Sequence, residues 1–92
     1  MIALSDQPFL APGVRAHTDP VTAQPVLLYP EGILILNESA SAVVELCDGA
    51  RTIEGIVAHL AAEFEATDDE LKSDVLACVA DLRERNLLVM KS

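Results

Sequence analysis

Residues 26–37, VLLYPEGILILN, place two short apolar runs on either side of Pro-Glu-Gly. Proline presets φ for the second position of a type I turn, and glycine suits a position needing positive φ. Pro30-Glu31-Gly32 therefore reads as a three-residue hairpin loop between the strands Pro25-Val-Leu-Leu-Tyr29 and Ile33-Leu-Ile-Leu36. Both runs are apolar at successive positions, whereas a sheet with helices on one side alternates apolar and polar residues. The spare apolar face is either covered by residues 1–13 or 87–90 folding back, or offered, with a sheet edge beside it, to another chain.

Outward from the hairpin, residues 14–18 alternate apolar and polar and suit a short edge strand that Asp19-Pro20 ends. Residues 1–13, broken by Pro8, Pro12 and Gly13, read as an irregular arm, with residues 14–92 as the domain. On the other side, Asn37 caps a first helix whose Val43, Val44 and Cys47 share a face, and Asp48-Gly49 ends it, glycine suiting a left-handed C′ position. Thr52 caps a second helix carrying Ile53, Ile56, Val57, Leu60 and Phe64 as its apolar stripe. Thr67-Asp-Asp-Glu70 matches a capping box, and Leu71, Val75, Cys78, Val79 and Leu82 then repeat at helical spacing until Asn86. Residues 87–90 form an apolar tail, a last half-turn or a short strand. The order is an α+β outline: a three-stranded antiparallel sheet with a β-hairpin wing, then three helices, as in a small winged-helix domain.

Helices joined at LCDGARTIEGIV, residues 46–57, suggest a DNA reader, but the charge opposes it. Six bases against fifteen acids give −9. From Thr67 to Asn86, where a recognition helix would lie, six acids face three bases. Such a surface repels phosphate, so no nucleic-acid partner is expected.

No apolar run reaches the ~18 residues a membrane span requires, and the N-terminal stretch MIALSDQPFLAPG carries Asp6 and no base. A cytoplasmic protein with no membrane partner is expected. Cys47 and Cys78 read as buried free thiols, and His17 and His59 stand apart from them, so neither metal nor cofactor is expected. Asp68, Asp69 and Glu70 are accounted for by a helix start. No nucleophile has a base nearby in sequence, so an enzyme acting alone is not expected.

Three stretches carry a family resemblance: VRAHTDP, then VLLYPEGILILNESA, then VVELCDGARTIEGIVAHL with a final DLRERNLL. Over about residues 8–90 they resemble the PqqD family of pyrroloquinoline quinone biosynthesis. The resemblance implies a peptide chaperone that binds the ribosomal precursor PqqA and presents it to the radical SAM enzyme PqqE, which crosslinks a Glu and a Tyr of that peptide. It also implies a RiPP recognition element, in which the leader peptide adds as a strand beside the wing's third strand and lies against the third helix. Carried onto this chain, that implies a peptide-binding site of Ile33, Leu34, Ile35 and Leu36 on the strand, and Leu71, Val75, Cys78, Val79 and Leu82 on the helix. The spare apolar face leaves a homodimer as another reading.

Overall fold

The structure, a computed structural model, describes residues 2–91. Eight elements follow one another: β1 (Gln7–Leu10), β2 (Arg15–Thr18), β3 (Pro25–Tyr29), β4 (Gly32–Ile35), α1 (Glu38–Glu45), α2 (Ile53–Phe64), α3 (Asp68–Glu84) and β5 (Leu88–Lys91). The expected three-stranded antiparallel sheet is present in the order β2-β3-β4, followed by the three expected helices. None of the helices is long and apolar enough to cross a membrane.

The hairpin forms with a shorter loop than the sequence suggests. Gly32 pairs with Tyr29, leaving only Pro30 and Glu31 between the strands. The φ of Gly32 is 159°, close to extended, so glycine continues the strand instead of turning the chain. Each helix starts where a capping side chain accepts a backbone N–H. Asn37 takes Ala40 N at 2.7 Å, Thr52 takes Gly55 N at 3.0 Å and Thr67 takes Glu70 N at 3.2 Å. Asn86 takes φ 64° just beyond α3, and Leu87 N donates to Leu82 O at 2.9 Å, which closes that helix.

Two expectations are corrected. Residues 7–10 are a strand within the expected arm: β1 pairs antiparallel with β5, from Gln7 opposite Lys91 to Leu10 opposite Leu88. Pro8 does not prevent this. Its carbonyl accepts Gly49 N at 3.0 Å, and its ring is buried. Gly49 does not end α1, which closes at Leu46 with αR geometry. Its φ of 79° instead lets the corner approach the strand, where a Cβ would sit 3.4 Å from Phe9 Cβ. Asp48 holds the same corner, its Oδ1 accepting Ala50 N and Arg51 N and its Oδ2 accepting Arg51 Nη1 at 2.8 Å. The two backbone bonds, the largest cause, hold its carboxyl below the usual range.

The core lies between the sheet's inner face and the helices, with Leu27, Ile53, Ile56, Val75 and Val79 as its most enclosed side chains. Aliphatic side chains fill it, as a chain with three aromatic residues requires.

Candidate peptide-binding edge and groove

β4 is an edge strand. Leu36 N donates to Pro25 O at 2.9 Å, and bonded pairs alternate along an antiparallel ladder. Leu36, Leu34 and Gly32 therefore direct their backbone groups to β3, while the N–H and C=O of Ile33 and Ile35 point to the open edge. Among the described residues these two N–H groups make no backbone hydrogen bond. The side chains divide by the same alternation. Leu34 and Leu36 turn inward, whereas Ile33 and Ile35 are each 62% exposed on the outer face. Opposite them in register stand Leu28 and Val26, and beyond those Arg15 and His17 of β2. The arm and tail pair with each other in the separate β1–β5 sheet.

α3 comes near both ends of β4. A hollow lined by Pro12, Val14, Tyr29, Pro30, Glu31, Arg85, Asn86 and Leu87 puts the end of the helix beside the hairpin turn, where β4 begins. A groove of about 470 Å³ links Asn37, just past the end of β4, to the middle of the helix. The start of β4 is thus nearest the end of α3, and the residue that follows β4 is nearest the helix's middle. The groove's apolar lining comes from Ala40, Val43, Leu60, Leu71, Val75 and Cys78, and its polar lining includes Asn37, Ser39, Asp74 and Asp81. Phe64, 51% exposed, also lines it.

The nine residues singled out in the sequence separate into three sets. Ile33 and Ile35 stand at the open edge. Leu71 and Cys78, half-buried, line the groove, with Val75 (1% exposed) beneath them. Leu36, Val79 and Leu82 are core residues with no surface to give a ligand, and Leu34 is a half-buried residue packed on that core. A helical stripe five residues strong cannot say which members face a hydrophobic core and which the margin of it. Phe64, Asp74 and Asp81 were missed; the signal available was that residues 74, 78 and 81 fall at i, i+4 and i+7.

Both thiols are free. Cys47 is buried as expected, and its thiol is pushed up to about 12, chiefly by burial, then by Cys78 and Asp48. Cys78 is only partly enclosed, and burial followed by Asp81 raises it too. At neutral pH it stays a thiol and behaves as a small apolar contact. Among the described residues no group of three His, Cys, Asp or Glu side chains is placed to hold a metal ion.

The family model for coenzyme PQQ synthesis protein D (PqqD) matches residues 25–88, from β3 through α3 to the first residue of β5. The chain belongs to the PqqD family. A relative from Rhizobium meliloti (strain 1021), named PqqA binding protein, is 42% identical over 79 residues, which cover 86% of this chain and 81% of the relative. Among solved structures, the chain superposes with TM-score 0.84 on the PqqD truncation of Methylobacterium extorquens PqqCD, described as a functional, stand-alone RiPP recognition element. Identity there is 34%, with 97% of this chain and 95% of the other covered. PqqD from Xanthomonas campestris gives TM-score 0.57 at 35% identity, covering 95% of this chain and 98% of that one. The PqqD match includes the hairpin, the groove-lining helices and the edge strand together.

Proposed function

We propose that this chain is a peptide chaperone of pyrroloquinoline quinone biosynthesis: it binds a PqqA precursor peptide as an added strand on β4 and presents it to a PqqE-like radical SAM enzyme. One observation carries the reading, the unpaired backbone of Ile33 and Ile35 on a strand that leads to Asn37, where a groove between α1, α2 and α3 opens. Main-chain hydrogen bonds to such an edge give sequence-tolerant affinity, and pockets for alternate side chains give selectivity. The names of the relatives support the choice of peptide.

The module contributes no catalytic group. Its effect is on concentration and orientation, since a precursor held on a protein that also docks the enzyme meets it at high effective concentration. The peptide-binding residues of the proposal are Ile33 and Ile35 by their backbone, with Leu71, Cys78 and Phe64 by their side chains.

Titration of labelled precursor should move the backbone resonances of residues 33–36 and of α3. Ile35→Pro deletes a donor that faces the open edge, leaving the β3–β4 ladder intact, so affinity should fall at least about tenfold with helicity unchanged. Unchanged affinity in a folded Ile35→Pro protein sinks the assignment. Pairing of two copies through β4 is the rival use of the same edge, and a monomer by light scattering at micromolar concentration argues against it.

A further inference from the structure

The groove that opens at Asn37, between α1, α2 and α3, has acids and no base among its charged lining residues. Asp74 and Asp81 both line it, and no Lys, Arg or His does. The two acids are not equivalent. Asp81 accepts Arg85 Nε at 3.2 Å, so its charge is already compensated. Asp74 is in no ion pair among the described residues, and its neighbour one turn earlier is Glu70, a further acid. Lys72 is turned elsewhere, toward a hollow with Leu4, Glu54 and Asp69.

Phe64 lines the same groove as Asp74 and leaves half its surface exposed. An aromatic face and an uncompensated carboxylate in one groove suit a Lys or Arg side chain, whose stem lies on the ring and whose head reaches the acid. Spacing adds a second constraint. Asp74 and Cys78 stand four residues apart on one face of α3, about 6 Å along the axis. Alternate side chains on one face of an added strand repeat at about 6.6 Å.

We infer that Asp74 is a specificity-determining residue of the peptide site, selecting a precursor segment in which a Lys or Arg lies two residues from an apolar side chain. The apolar group sits on Cys78, and the cation sits between Asp74 and Phe64. This rests on the added-strand reading above and gives that strand a required chemistry. Asp81, held by Arg85, takes little part, so the groove distinguishes its two ends and fixes which way the segment lies.

The test titrates PqqA precursor into the full chain and into Asp74→Asn, using the parent peptide and variants with each Lys or Arg replaced singly by Gln. Asp74→Asn should weaken binding about three- to fivefold at low salt, the effect of a largely exposed ion pair, and the difference should shrink at high salt. One Gln replacement in the peptide should cost affinity against the parent chain and nothing further against Asp74→Asn, while Asp81→Asn should change affinity less than about twofold. If Asp74→Asn binds like the parent, or every Gln replacement acts equally on both proteins, the inference is overturned. Loss of binding in Ile35→Pro under those circumstances leaves the strand reading standing, whereas normal binding in Ile35→Pro removes both.

Discussion

The β1–β5 pair and the β2-β3-β4 sheet are built from short antiparallel strands of similar residues, yet they end in opposite states. β1 is held from both sides: β5 pairs along one edge, and on the other Phe9 bridges to Asp48, Gly49 N reaches Pro8 O and Gln7 Nε2 donates to Ala50 O. β4 has β3 on one side and, among the described residues, no strand on the other, with two isoleucines exposed. Hydrophobicity alone does not separate the two, since Phe9 and Leu10 are no less apolar than Ile33 and Ile35. Whether a strand is scaffold or site depends on how many of its backbone edges the chain itself occupies.

That contrast can be broken by truncating one side chain in each sheet. Leu88→Ala empties a buried position in the clasp and should cost about 2–5 kcal/mol by denaturant unfolding. Gly49→Ala should cost about 1–2 kcal/mol, because an L side chain at φ 79° is strained. Ile35→Ala should lie within about 0.5 kcal/mol of the parent, since the side chain is mostly in water already. If Ile35→Ala destabilises as much as Leu88→Ala, the wing is part of the scaffold and the contrast fails.

Much of this was legible in the chain. Asn37, Thr52 and Thr67 announced their helices, and all three side chains make the capping bonds their identities suggest. The hairpin's apolar pattern on both faces left open whether the second face is covered, and the structure divides it: Val26 is buried there, whereas Ile33 and Ile35 are exposed. The clasp was hidden because its two strands lie some eighty residues apart and one contains a proline, so no local pattern links Gln7 to Lys91. Gly49 was read by its nearest neighbours as a helix stop, whereas its conformation answers to Pro8 and Phe9, distant in sequence. On α3 the period identified the apolar residues but could not divide Leu71 and Cys78 from Val79 and Leu82, because that division is made by α1, α2 and the sheet.

The pairing of Gln7 with Lys91 brings the start of the first strand and the end of the last to neighbouring positions, roughly 5 Å apart at Cα. The segment entering β1 and the segment leaving β5 therefore meet at one edge of a sheet to which β4 does not belong. Joining the end of β5 through a linker to the segment that precedes β1, while cutting an exposed loop such as residues 20–24, should yield a permuted chain with the same open edge.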